Sequence, residues 1–526
     1  MTAQAPLPSP TRAGRNIPVK RPSAWLVAPV LLLVGLSLLP LAYVSIRAAE
    51  AGWHDISRLL LRPYVYNLLV NTLVLLAGVT VACAIAGTLL AWLLERTNLW
   101  GRRAWGVILC LPFAVPSFVS SFTWVSLSSG FEGLGGAILV MSLSKYPLVF
   151  LPVAATLRNL DHSLEESGRL LGATRRELFF RVTLPLLWPA ILAGSLLIAL
   201  HMLVEFGALA ILNVRTFTTA IYQQFELEFS NANAAMLSAV LLVLCMGFLW
   251  LELKARGRAR HVRTGQGVAR RAAPLRLPAW CIPLAQGFCL ALAILGSGVP
   301  LVMLGYWLVQ GTSAAFPALA IGKAMLSSLG LSLAGAAVCL ALALPVGLLV
   351  VRYRGPLALW AERLPYLLHA LPGLVIALTL VYFALHFVPA LYQTTLLLII
   401  AYALLFLPLA QGPVRTALTK AAPQLEEAAR TLGAGALAAF CKVTLPIIFP
   451  ALAAAFALVF LDAMKELTAT LLLSPTGTTT LATEVWSHTS NMEFAAAAPF
   501  AALLILVSGL PVYLLTTRMY LKRGQG

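Results

Sequence analysis

The stretch LEEAARTLGA, residues 425–434, decides how this chain is read, because a near copy, LEESGRLLGA, stands at residues 164–173. Setting Leu164 against Leu425 gives an offset of 261 (425 − 164). That offset aligns Glu165 with Glu426, Glu166 with Glu427, Gly172 with Gly433, Pro185 with Pro446 and Pro189 with Pro450, without a gap. An offset near half of a 526-residue chain marks a duplicated unit. Weaker matches extend it: LVNTLVLLAG (69–78) against LSSLGLSLAG (326–335), and YPLVFLP (146–152) against YALLFLP (402–408).

The two charged copies sit in a chain that is 60% hydrophobic and only 11% charged, which places it in the membrane class. Twelve apolar stretches long enough to span a bilayer fall six to each half. The third of each half is expected near 105–128 and 364–388, with Pro116 and Pro372 inside; the fifth is expected near 187–213 and 447–473. The first, beginning near Ser23, is too long for a cleaved signal peptide and reads as a retained helix. The formal charge of +18 could suggest nucleic acid, but the bases flank apolar spans and read as orientation signals. The linker KARGRARHVRTGQGVARRAAPLR, residues 254–276, holds eight Lys or Arg and no acid. Bases also flank the outermost spans, so both termini and the linker are expected in the cytoplasm. The organisation is then a cytoplasmic tail (1–22), a first permease-like repeat (23–252), a basic linker (253–277), a second repeat (278–517) and a short tail (518–526). Each repeat starts and ends on one side, so the repeats run parallel. The seven cysteines carry no CxxC pair or metal spacing and read as small apolar residues.

Each charged copy lies between the fourth and fifth spans of its half, on the expected cytoplasmic side. Leu164, Leu171 and Leu178, and Leu425 and Leu432, recur at seven-residue intervals, giving a helix with one apolar stripe. Gly172 and Gly433 follow where a helix can end and reverse without a β-carbon clash. Pro185 and Pro446 are expected to open the next membrane helix, where a missing N–H costs little.

The pattern Glu427-Ala428-Ala429, Gly433 and Leu445-Pro446 resembles the cytoplasmic signature of binding-protein-dependent ABC transporter permeases. The first copy, Glu166-Ser167-Gly168, Gly172 and Leu184-Pro185, departs at Ser-Gly but keeps spacing and position. The resemblance implies an all-α integral membrane protein of the type I importer permease fold, in a bacterial inner membrane. Each segment would be a coupling helix seated in a separate ATP-binding subunit, with Glu166 and Glu427 making polar contacts to it. Cargo would arrive from a soluble binding protein at the outer face. The chain would bind no cofactor itself; ATP would be used by the partner, since no GxxxxGK[ST] occurs here. A secondary transporter needs no such helices, and no nucleophile and base constellation suggests an enzyme.

Charge inside a span is costly and marks function by default. The 261 offset takes His201 to Asp462 and Glu205 to Glu466, so the two fifth spans carry polar pairs at i, i+4, each pair expected on one helix face. These four are expected to face one another along the translocation path; the bland alternative is that they cap or brace helix ends. Their imidazole and carboxylates suit a hard metal ion, and equally water or an organic cation. FLDAMKELTATLLL (460–473) resembles the C-terminal half of fused ferric-iron permeases, with Thr468 where that family commonly has Pro. VEFGALAILNVRTFTTAIY (204–222) is similar to the matching stretch of those permeases, and also to thiamine relatives. His54, His162, His261, His369, His386 and His488 are scattered and read as surface or packing histidines.

Overall fold

The structure is a computed structural model and describes residues 23–158, 160, 170–226, 228, 231–259, 275–311, 317–353, 355–369, 371–421 and 423–520. Within them all regular structure is helical apart from one isolated bridge, Thr97 to Leu275. Nine helices among the described residues are long and apolar enough to cross a membrane. Two bent pairs raise the number to as many as eleven, and the apolar helix Phe494–Tyr520 lies where the twelfth was expected.

The third and fifth spans depart from the uninterrupted helices expected. The third breaks at Pro116 and at Pro372, turning by 89° between Arg102–Ala114 and Ser117–Leu127, and by 111° between Pro356–His369 and Gly373–Phe387. Proline disfavours α conformation in the residue before it, and Val115 is accordingly extended. The fifth stops after Val204 and after Met464, and each resumes as a short helix, Gly207–Ile211 or Thr468–Leu473.

Pro185 and Pro446 do not open their helices as expected. Each lies just beyond a π-turn, Phe179–Thr183 or Phe440–Thr444, which joins the fifth span to a preceding helical turn. The Leu184 and Leu445 N–H groups reach back five residues, to Phe179 and Phe440. A proline ring crowds the carbonyl four residues earlier and cannot donate to it, so the turn ahead of it widens. The same device recurs before Val299-Pro300 at Ile294–Gly298.

The halves do not have separate cores. The first helix, Ala24–Leu60, buries Leu26, Val30 and Leu33 in the cluster built by the second half. Its Tyr43 and Arg47 sit 5.3 Å and 4.6 Å from the Tyr382 ring. Reciprocally, Cys281–Ala293 of the second half places Ala285 and Cys289 in the first half's core. Trp105 Nε1 donates to Gln286 at 2.7 Å across the same junction. Each half therefore clasps the other with its own first span. Exposed leucines and valines such as Val243, Val302 and Leu326 line the outside, as lipid contact requires, and Trp25, Trp188, Trp250 and Trp280 are exposed at the end nearest the motif helices.

Small residues let these helices approach closely. A Cβ on Gly194 would come within 2.8 Å of the Leu148 carbonyl oxygen and 2.9 Å of Val149 Cα, both backbone atoms. Gly194→Leu is expected to lower the unfolding temperature in lipid, through overpacking of about 1–3 kcal/mol. Gly247→Leu, at a glycine with nothing within 4 Å, is the control and should leave it unchanged. Equal melting of the two variants would show that the close approach at Gly194 is not what holds these spans together.

Candidate functional site

One end of the bundle carries the repeated motif. Helix Pro423–Thr431 has an acidic first turn and a basic last turn, matching the helix dipole. It ends in a Schellman cap: the Gly433 N–H donates to Arg430 and the Ala434 N–H to Ala429, both at 3.1 Å, with Gly433 at φ +91°. Gly172 takes the same left-handed conformation in the first half, at φ +83°. Glu165 and Glu166 lie outside the described residues.

The two acids of the second copy are parted. Glu427 is exposed, as are Leu425, Ala428 and Leu432, while Ala429 is half-buried. Glu426 turns inward, and one of its oxygens accepts from Arg352 Nη2 at 2.5 Å and from the Thr444 hydroxyl. Arg352 ends the second span of its half and Thr444 ends the π-turn before the fifth, so Glu426 ties the motif helix to both. Burial alone would push its carboxyl up. The hydrogen bonds from Arg352 and Thr444, and the Arg352 charge, outweigh that and hold it below the usual carboxylate range. Arg352 went unremarked in the sequence, although a signal was present: an offset of 256 places Arg96 opposite Arg352, Pro116 opposite Pro372 and Tyr146 opposite Tyr402.

The second constellation lies where the fifth spans break. Glu205 caps the end of helix Leu184–Val204. Its Oε2 accepts from Ser117 Oγ at 2.9 Å and lies 3.7 Å from Lys145 Nζ, and its Oε1 accepts from the Ala208 N–H at 3.4 Å. Glu466 stands two residues past the end of helix Leu445–Met464, so Asp462 and Glu466 do not share one helix face as expected. Its Oε1 accepts from the Ala469 N–H at 2.8 Å. A Cβ on Gly373 would lie 3.3 Å from that oxygen. Both backbone carbonyls are also used: Thr218 donates to Glu205 O at 2.7 Å and Thr470 to Glu466 O at 3.1 Å.

Each carboxylate thus closes a helix end and braces the break in the third span of its own half, beside Pro116 or Pro372. The two breaks meet, since a Cβ on Gly207 would come within 2.7 Å of Leu467 Cδ2. His201 is not joined to Glu205: its Nδ1 donates to Leu197 O of its own helix at 2.9 Å. Lys465 instead points to the first half, its Nζ 3.5 Å from Phe113 O. Among the described residues no three His, Cys, Asp or Glu come together to hold a metal, so His201, Glu205, Asp462 and Glu466 are not a preformed metal centre. Lys145 and Ser117 were not anticipated, because neither pairs with anything near it in sequence.

Comparison with known proteins places this architecture. Residues 84–252 and 342–521 each match the family described as "Binding-protein-dependent transport system inner membrane component". The chain is 46% identical over 499 residues, 94% of its length, to the Fe(3+)-transport system permease protein FbpB 2 of Haemophilus influenzae, of which 98% is covered. It is 30% identical over 240 residues to the sulfate transport system permease protein CysT of Escherichia coli, covering 41% of this chain and 86% of that one. The molybdenum transport system permease protein ModB of Escherichia coli is also 30% identical, over 200 residues, 33% of this chain and 87% of that one. The chain belongs to the family of binding-protein-dependent transport system inner membrane components, and it carries that family's domain twice.

Proposed function

We propose that the chain forms the whole translocation pore of an ATP-driven importer for ferric iron. The observation that carries the cargo is the relative named for Fe(3+) transport, similar along nearly the full length of both chains. The sulfate and molybdenum permeases match only a third to two fifths of this chain. In this reading the motif end faces the cytoplasm and docks separate ATP-binding subunits, and a soluble binding protein delivers cargo at the other end. The exposed Glu427, Leu425 and Leu432 make the docking face. Loss of the gene should abolish uptake of radiolabelled ferric iron while thiamine, sulfate and molybdate uptake continue. Iron uptake indifferent to its loss would overturn the cargo.

Energy enters at the motif helix and must reach the fifth span, whose far end carries Glu466. The backbone route passes through Gly433 and a π-turn, both poor at transmitting a push. The Glu426 bridge to Arg352 and Thr444 bypasses them, so closure of the ATPase pair moves the motif helix, the second span and the fifth span together. Glu427→Ala should release the ATPase subunit on purification. Arg352→Ala should keep it bound but lower iron taken up per ATP hydrolysed, with the exchange Arg352→Glu plus Glu426→Arg restoring part of it. A depressed carboxyl stabilises the fold above its ordinary range and loses that contribution as pH falls through the depressed value. The thermal stability lost on Glu426→Gln should therefore be constant near neutrality and shrink as pH drops below the ordinary glutamate range.

Glu205 and Glu466 end the two moving helices where the halves meet, and we assign them to the path's narrowest layer, with His201 and Asp462 one turn nearer the cytoplasm. Each acid is half-buried and already caps a helix, so Gln at either position keeps an acceptor for the cap and removes only the charge. Glu205→Gln with Glu466→Gln should leave assembly intact and cut iron uptake roughly tenfold or more. Uptake at the parental rate would return both residues to a purely structural role.

A further inference from the structure

On the face opposite the motif helices, beyond the layer of Glu205 and Glu466, the second half forms an open cleft of about 320 Å³. The chain reaches it by crossing from the motif end along helix Leu445–Met464, through the short helix Thr468–Leu473, and over a loop to helix Leu481–Ser490. The wall is oxygen-rich: Ser474, Thr478, Thr479 and Ser487 contribute hydroxyls and Glu484 a carboxylate, with Trp486 closing one side. Among the described residues no Lys or Arg lines it. The helix starts at a capping box in which Thr480 and Thr483 satisfy one another's backbone, and this sets Glu484 in the first turn. His488 Nε2 stands 3.6 Å from Glu484 and its Nδ1 2.7 Å from Glu493, so the imidazole lies between the two carboxylates.

Its place in the fold is as telling as its lining. Trp486 packs 5.2 Å from Phe206 and 6.3 Å from Tyr222, both from the first half, and Phe206 and Tyr222 stand 4.6 Å apart. Phe206 is the chain neighbour of Glu205. The cavity therefore opens over the seam between the halves, separated from the carboxylate layer by three aromatic rings.

We propose that this cavity is an outer receiving site for a hard trivalent cation that still carries its own shell of water, hydroxide or small anions; the proposal rests on the importer reading above. Hard cations take oxygen ligands, and the hydroxyls and the carboxylate supply them beside the apolar surface of Leu471 and Trp486. A volume near ten times that of a water molecule in the liquid holds an ion with its shell rather than a bare one. A single carboxylate among neutral hydroxyls suits a place of passage, where binding must be strong enough to capture and weak enough to release. The three rings then shut the seam beneath the ion until the halves separate. An oxyanion such as sulfate or molybdate would meet a carboxylate here and no lysine or arginine among the described lining residues.

Trp486 makes the site testable with light. The full chain, purified with its ATPase subunits in lipid nanodiscs, is titrated with terbium(III) while tryptophan is excited. Saturable sensitised emission is expected. It should fall away in Trp486→Phe, weaken roughly tenfold in apparent affinity in Glu484→Gln and survive in Glu484→Asp, with gallium(III) competing and molybdate not. Emission indifferent to both Trp486→Phe and Glu484→Gln, or displaced by molybdate, overturns the site and leaves the importer standing. A parent chain that takes up no labelled ferric iron overturns the importer reading and the receiving role with it.

Discussion

A helix cannot stop inside an apolar layer unless the N–H and C=O groups it frees find partners within the protein. Among the described residues four helices are interrupted at depth, two at proline and two after a fifth span, and the rest of the architecture follows from how those interruptions are satisfied. Glu205 and Glu466 each accept from the first turn of the next helix through the side chain and from a threonine hydroxyl through the carbonyl. The carboxylates let the chain bend where the halves meet.

The duplication, the spans and the motif helix of the second half were legible because each is written locally, as a repeated string or an apolar run. The breaks were not. GALAI and TATLLL are as apolar as the helices before them, so hydropathy runs straight through Glu205 and Glu466. What stops the helices is side-chain chemistry arriving from elsewhere: Ser117 reaches Glu205 across 88 residues, and Tyr402 bonds Thr470 across 68. Arg352 was hidden for a different reason. A base at the end of a span reads as an orientation signal, and only the fold shows that this one is held by Glu426. Of the two motif acids, the sequence offered no means of telling which faces outward and which braces inward.

The repeats share a plan but have diverged at the faces that do chemistry. At the start of one far-side helix the Thr216 N–H donates to the Thr219 hydroxyl, as the Thr480 N–H donates to the Thr483 hydroxyl in the other. Around that common start the first half carries Arg215 beside Asn67 and Asn71, whereas the second carries Glu484 among hydroxyls. Lys145 accompanies Glu205, and among the described residues no basic side chain is paired with Glu466 in the same way. Fusion into one chain permits such asymmetry, because each face need work in only one copy.

The exchanged first spans also govern how the protein can be made. Leu26, Val30 and Leu33 find their buried places beside Leu331, Ala336 and Cys339, so the first helix to enter the bilayer must wait for residues synthesised some three hundred positions later. Until then its inner face is covered only by lipid, and the first half stands incomplete on the side that Ala285 and Cys289 will close. Biogenesis is thus a matter of two unfinished bundles completing one another, and a ribosome that stalls in the linker leaves behind a half that has no finished core of its own.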